Sequence, residues 1–153
     1  MVVAVGTYFW LMAPEKPSTP GRLFELSREK FAERKWDQLF DYTSGKWRKE
    51  YIPLMRRHLE YLLRYAETET VDAQTAVAFS DRQVFRVWLE VHSQTPEGEQ
   101  LLANIEDVEI ENIKEKDEHN LIYFYSPVDI PGNFRAVVTE KTNDYWKITG
   151  LKE

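Results

Sequence analysis

Apolar residues recur every three or four positions in the first half of the chain and every second position in its last third. Residues 21–34 predict an amphipathic helix, because charged residues lie opposite an apolar stripe of Leu23, Phe24, Leu26 and Phe31. Residues 36–42 predict a short second helix. We expect it to close before Gly45, since glycine suits a left-handed helix cap.

Two longer helices follow in the pattern. The third covers about residues 49–66, and Pro53 places its beginning near Ile52, because proline is tolerated in the first turn of a helix. Ser80 and Gln83 have the spacing of a capping box, which predicts a fourth helix through His92. Residues 96–98, Pro-Glu-Gly, are expected to end that helix.

The apolar period changes to two after residue 103, which indicates strands. Four strands are predicted, at residues 108–111, 121–125, 134–139 and 145–151. Their connections are short and rich in turn residues, so consecutive strands should pair as an antiparallel meander. Helices followed by a sheet define an α+β fold.

Two segments carry a resemblance to a known family. The helix KWDQLFDY at residues 35–42 and the hairpin AVVTE/DYWKI at residues 136–140 and 144–148 resemble the nuclear-transport-factor-2-like superfamily, and the likeness covers about residues 21–153. It implies three to four amino-terminal helices packed in the concave face of a curved antiparallel sheet of about four strands. Such cones often hold a pocket at the open end. The superfamily includes ketosteroid isomerase, scytalone dehydratase and limonene epoxide hydrolase beside non-catalytic binding and assembly domains, so the resemblance leaves function open.

One face of the third helix carries the candidate site. Tyr51, Leu54, His58, Tyr61 and Tyr65 share this face at spacings of three and four. Tyr51, His58, Tyr61 and Tyr65 are the predicted ligand-binding residues. An enzyme would use His58 as general base and Tyr61 as hydrogen-bond donor, whereas the same stripe also suits ordinary packing. The strands offer no matching acid, and Asp41 is expected to face solvent or cap a helix.

Metal and cofactor chemistry find little support. The chain has no cysteine, and its three histidines, His58, His92 and His119, lie far apart, with His119 in an expected hairpin turn. The six glycines are scattered and form no phosphate-binding loop. We therefore expect no metal site and no cofactor.

The first twenty residues differ from the rest. Residues 2–13 contain no charge, and three prolines follow within residues 14–20, which predicts an extended linker. Twelve helical residues reach about 18 Å, short of a bilayer core of about 30 Å. We interpret residues 1–20 as a membrane anchor or membrane-proximal tail plus linker, with Tyr8, Phe9 and Trp10 at the interface. The alternative is a segment packed on the domain formed by residues 21–153.

The net charge of −6 disfavours nucleic-acid binding, but the charge is unevenly distributed. Residues 21–66 carry 11 Lys and Arg against 7 Asp and Glu, and residues 67–153 carry 8 against 18. Within the basic half, Trp47 stands among Lys46, Arg48 and Lys49. These four residues predict contact with an anionic membrane surface or an acidic partner, unless they are ordinary solubilising charge.

These features lead to two hypotheses of function. The first is a non-catalytic binding or assembly domain, tethered by its amino-terminal segment to a membrane or a membrane complex. It would lie on the extracytoplasmic side of a bacterial inner membrane, with a protein partner and with a homodimer through the sheet as a further possibility. The alternative is a small-molecule isomerase or dehydratase that uses His58, and a soluble cytoplasmic location.

Overall fold

The structure, a computed structural model, describes residues 15–65, 78–116, 118–130 and 132–153, with the backbone alone at 62–65. In these residues five helices precede a four-stranded antiparallel sheet, which confirms the predicted α+β fold and the meander. The helices are α1 Pro20–Ala32, α2 Trp36–Asp41, α3 Gly45–Tyr65, α4 Asp81–Ser93 and α5 Pro96–Ala103, followed by a 3₁₀ turn, Ile105–Asp107. The strands are β1 Glu109–Lys116, β2 His119–Tyr125, β3 Ala136–Thr142 and β4 Tyr145–Lys152.

Helix α4 begins where the capping box predicts. The Gln83 backbone N–H donates to Ser80 Oγ at 3.2 Å, and the Ser80 backbone N–H donates to Gln83 Oε1 at 2.9 Å. The side chain of each residue thus accepts the backbone N–H of the other, which fixes the first turn of the helix.

Helix α3 begins seven residues earlier than the predicted start near Ile52. Ser44 caps it, because Ser44 Oγ accepts the Trp47 backbone N–H at 3.1 Å, and Gly45 is its first residue rather than a left-handed cap. Pro53 therefore lies inside the helix. Pro53 and Lys49 are both exposed, so water can reach the Lys49 carbonyl that proline leaves without a helical donor.

The segment predicted to end the fourth helix begins another one. Thr95 caps α5 by accepting the Gly98 backbone N–H on its Oγ1 at 3.1 Å, and Pro96 takes the first helical position. Proline has no N–H to satisfy there, so it favours this position rather than breaking the helix.

The sheet has the order β1-β2-β3-β4, with β2 and β3 central. Asn143 and Asp144 form the two-residue turn between β3 and β4, both with positive φ, as tight hairpins require. His119 pairs with Lys116 in the β1–β2 hairpin. It is therefore the first residue of β2 and not part of the turn expected from the sequence. Register shifts between Ile110 and Asn112 and after Val138 mark bulges, which bend the strands that carry them.

Strand β4 closes the helical layer. Trp146 and Ile148 pack against the buried helical core, although both remain partly accessible. The Ile148 backbone N–H donates to the Tyr42 carbonyl at 2.7 Å, and the Ser44 N–H donates to the Ile148 carbonyl at 2.7 Å. The connection between α2 and α3 thus pairs with part of β4.

The proline-rich segment is attached to the domain from Glu15 onward. Pro17 is buried, and its carbonyl accepts the Trp146 backbone N–H at 3.0 Å. Glu15 forms an ion pair with Arg22 at 2.7 Å. Residues 1–14, including Tyr8, Phe9 and Trp10, lie outside the described residues.

Candidate functional site

A pocket of about 680 Å³ lies between the helices and the sheet. It is open on one side, and α1, α3, α4 and the inner faces of β2, β3 and β4 contribute to its wall. The wall is mainly apolar and includes Phe24, Phe31, Leu54, Phe85, Leu89 and Ile122. The size falls in the range of small-molecule sites, which are typically lined by apolar groups with a few polar ones.

Helix α3 presents part of the predicted stripe to this pocket. Tyr51, Leu54 and His58 line it. The Tyr51 ring stacks on Trp47 with centroids 4.9 Å apart, and its hydroxyl oxygen accepts the Leu151 backbone N–H at 3.4 Å. Tyr51 therefore joins the helix to β4 at the pocket wall.

The other two predicted tyrosines do not form part of the described wall. Tyr61 is 59% exposed and does not line the pocket, so it is not positioned beside His58 as a donor to a pocket ligand. The side chain of Tyr65 lies outside the described part of the chain.

Three aromatic rings form a cluster on the pocket wall. The Trp88 ring stacks on the His92 ring one helical turn further along α4, with centroids 3.8 Å apart. The His58 ring, from α3, lies 5.0 Å from the His92 ring at 60°. All three residues line the pocket. His58 and His92, which lie far apart in the sequence, are therefore neighbours in space.

Hydrogen bonds assign opposite tautomers to the two neutral histidines. An indole N–H can only donate, so His58 Nδ1 accepts from Trp88 Nε1 at 3.3 Å and His58 carries its proton on Nε2. A backbone carbonyl can only accept, so His92 Nδ1 donates to the Trp88 carbonyl at 2.9 Å. This leaves His58 Nε2 as a donor and His92 Nε2 as an acceptor.

The surroundings of His92 favour this neutral form. Burial lowers the pKa of His92 below its usual value, whereas the hydrogen bond to the Trp88 carbonyl acts in the opposite direction. In neutral His58 the free Nε2 already carries a proton. The alternative hypothesis, with His58 as general base, would need the other tautomer at this nitrogen.

Other polar groups in the pocket are few. The Ser27 Oγ is buried and has no hydrogen-bond partner among the described residues. Arg28 also lines the pocket, and its Nη1 donates to the Val108 carbonyl at 2.8 Å. No described aspartate or glutamate lines the pocket; Asp41 instead pairs with Arg82 outside it, with 2.5 Å between Oδ1 and Nη2.

The basic cluster at the start of α3 differs from its prediction. Trp47 is only 5% exposed and packs edge-on against Phe85, so its ring cannot contact a membrane or partner at the surface. Arg48 is also held in the fold. Its Nη2 donates to the Phe40 carbonyl at 2.9 Å, and the guanidinium lies 3.9 Å above the Phe40 ring.

The remaining cations border a separate, shallow groove. Lys46 and Lys49 are exposed, and Lys49, Arg56 and Arg57 line this groove beside Asp81. Arg56 donates to the Phe79 carbonyl at 2.8 Å. Burial, with a smaller contribution from Arg82, lowers the pKa of Arg48 at the same groove. The positive surface is thus real, but it lacks the tryptophan that the sequence pattern assigned to it.

The described residues contain no group of three or more His, Asp or Glu arranged to hold a metal ion. Among their helices, none has the length and apolar character needed to cross a membrane.

In comparisons with known proteins, the chain matches no family model, no curated protein and no solved structure. The structure itself defines an α+β domain with an apolar pocket between its helical layer and its meander sheet.

Proposed function

We propose that this chain is a non-catalytic binding domain that holds a small, mainly apolar molecule in the pocket between helices and sheet. The observation that carries the proposal is the pocket itself, about 680 Å³ in volume with a predominantly apolar wall. Burial of a ligand's apolar surface there is favourable by about 25 cal/mol per Å². The resemblance to the nuclear-transport-factor-2-like superfamily, whose cones often contain a pocket, supports the same function.

Filling the pocket tests this proposal. Ser27 lies on the pocket wall, so Ser27→Phe should place a ring in the cavity and remove a buried hydroxyl that has no partner in the described ranges. Glu25→Phe adds the same ring at an exposed position on the same helix and is the matched control. Binding of the neutral fluorophore N-phenyl-1-naphthylamine is followed by its emission, and folding by circular dichroism.

We expect saturable binding by the wild type and by Glu25→Phe. Folded Ser27→Phe should bind the fluorophore at least about tenfold more weakly, which corresponds to a loss of about 1.4 kcal/mol in binding free energy. No saturable binding by the wild type would refute the proposal. Equal affinity of both folded variants would also contradict it, because the fluorophore would then bind elsewhere.

We also propose that residues 2–13 tether this domain to a membrane or a membrane complex. This segment carries no charge and includes Tyr8, Phe9 and Trp10, which are suited to a lipid interface. Pro17 is buried, and its carbonyl bonds to β4, so the segment that begins at Glu15 is held to the domain by its own contacts. Removal of residues 1–14 should therefore leave the fold intact.

Co-sedimentation with vesicles of phosphatidylglycerol and phosphatidylcholine tests the tether. We expect the full chain to sediment with the vesicles and the chain without residues 1–14 to remain in solution. Lys46→Glu with Lys49→Glu reverses two exposed charges and measures the electrostatic part of the association. If the shortened chain sediments as well as the full chain, the segment is not the tether.

A further inference from the structure

The polar atoms of the ring cluster indicate what kind of molecule the pocket selects. We propose that the ligand carries a hydroxyl group, an alcohol or a phenol on an apolar body, and that this hydroxyl binds between His58 Nε2 and His92 Nε2. The inference rests on the proposed binding function and adds the chemical class of the ligand.

The tautomers favour a group that donates and accepts at the same atom. His58 Nε2–H offers a donor, and His92 Nε2 offers a lone pair, because Trp88 occupies the other nitrogen of each ring. A hydroxyl oxygen accepts from the first and donates to the second. Two such bonds of about 2.8 Å around one oxygen join nitrogens about 4.5–5 Å apart. The centroids of the two rings, which are not the nitrogens themselves, lie 5.0 Å apart, so the rings are close enough to share one small group.

Other head groups satisfy only one of the two histidines. A carboxylate or an ether oxygen only accepts, and it would face the unshared electron pair of His92. An ammonium group only donates, and it would face the His58 N–H. His58 is exposed and His92 half-buried in the free protein, so a ligand that covers either nitrogen without bonding to it removes its water. The mismatch should therefore reduce affinity and not merely fail to increase it.

The body of the ligand follows from the pocket. At about 30 Å³ for each non-hydrogen atom, the volume share of a liquid water molecule, 680 Å³ accommodates about twenty such atoms. The wall around the cluster is apolar, including Leu54, Phe85 and Leu89. A terpenoid alcohol, an alkylphenol or a fatty alcohol of medium length has the required form.

The test compares three probes that share one alkyl chain. 1-Decanol, decyl methyl ether and decanoate are titrated into the complex of the chain with N-phenyl-1-naphthylamine, and displacement of the fluorophore gives their affinities. We expect decanol to bind the wild type about tenfold more tightly than either other probe, the effect of one unsatisfied buried polar group.

Two histidine variants assign the effect. His92→Phe keeps a ring stacked on Trp88 but removes the acceptor, so decanol and its methyl ether should then bind with equal affinity. His58→Phe removes the donor and should weaken both. His119→Phe is the matched control, because His119 begins β2 and does not line the pocket. Its probe preferences should equal those of the wild type.

The outcomes separate this inference from the proposed function. If the fluorophore does not bind the wild type, the binding function itself fails. If it binds but decanol has no advantage, or keeps its advantage in His92→Phe, the hydroxyl assignment alone is wrong. Tighter binding of decanoate would overturn it in favour of an anionic ligand, for which Arg28 is the cation on the wall.

Nitrogen-15 NMR of the imidazole rings reports which ring nitrogen carries the proton, and a purely structural role of the histidines would not change this result. The spectra should show His58 protonated at Nε2 and His92 at Nδ1, and decanol should shift both Nε2 resonances. The same tautomer for both histidines, or unchanged resonances when decanol is bound, would contradict the inference.

Discussion

Gly98 holds the end of α4 against the first turn of α5, and a single methyl group at this position should disrupt the contact. A Cβ atom there would lie 1.9 Å from the His92 carbonyl oxygen, 2.8 Å from its carbonyl carbon and 3.0 Å from Ser93 Cα. All three obstructing atoms belong to the backbone. Gly98 does not have a positive φ, so the expected cost of alanine is steric.

The magnitude follows from these distances. Ordinary contacts of a Cβ atom begin at 3.4 Å, so the two helices would have to separate by about 1.5 Å, the difference from 1.9 Å. The His92 carbonyl is further held by the Thr95 hydroxyl at 2.7 Å. Overpacking typically costs about 1–3 kcal/mol, and an obstructing backbone places Gly98→Ala at the upper end. For a chain of this size, a loss of about 3 kcal/mol lowers Tm by roughly 6–12 °C.

Urea denaturation and thermal melting of Gly98→Ala measure this loss against Gly45→Ala. Gly45 is likewise a glycine within a helix, but a Cβ atom at this position would meet no heavy atom within 4 Å. We expect Gly45→Ala to equal the wild type or exceed it by up to about 1 kcal/mol. A change of less than about 0.5 kcal/mol in Gly98→Ala, or an equal loss in Gly45→Ala, would refute the steric reasoning.

Two further predictions concern stability. Trp146→Ala should lower the free energy of unfolding by about 2–4 kcal/mol, because the ring packs on the core but is only partly buried; a loss under about 1 kcal/mol in urea denaturation would place the ring outside the core. Tyr42→Phe removes a buried hydroxyl that has no partner within the part of the chain that the structure describes, so it should be neutral or stabilising at pH 7. Burial, the largest cause, raises the pKa of Tyr42 to about 12, above the unfolded value near 10, so the wild type should lose stability relative to Tyr42→Phe between about pH 10 and pH 12. An unchanged difference between the two proteins across that range would show that Tyr42 is not the group responsible.

The parts of the fold that were predictable from the sequence are those that local chemistry decides. The capping box of Ser80 and Gln83 and the turn at Asn143 and Asp144 depend on neighbouring residues, and both form as expected. Alternating or continuous apolar runs likewise identified all four strands, and the short connections between them predicted the meander order. Helix α5 had a signal too, since Thr95 followed by Pro96 is a typical helix start, but Gly98 drew attention to a break instead.

Long-range contacts explain what the sequence did not predict about the site. His58 and His92 lie on different helices, and only the packing of α3 against α4 brings their rings together. Neither residue has a neighbour in sequence that indicates the other. The tautomers depend in turn on Trp88, whose indole and carbonyl each bind one histidine, and a sequence pattern carries no information about that geometry.

The misplaced start of α3 and the misassigned role of Trp47 have one physical cause. With a helix beginning near Ile52, Trp47 belongs to a connection, and its basic neighbours make it resemble an interfacial aromatic residue. With the helix beginning at Gly45, Trp47 lies four residues before Tyr51 and seven before Leu54, on the face that continues to His58. The structure packs Trp47 on Tyr51 and Phe85 at the pocket wall. The same helical face thus carries a buried aromatic ring at its beginning and His58 on the pocket wall further along. A shift in the position of one serine cap is therefore enough to move Trp47 from this face to a surface connection.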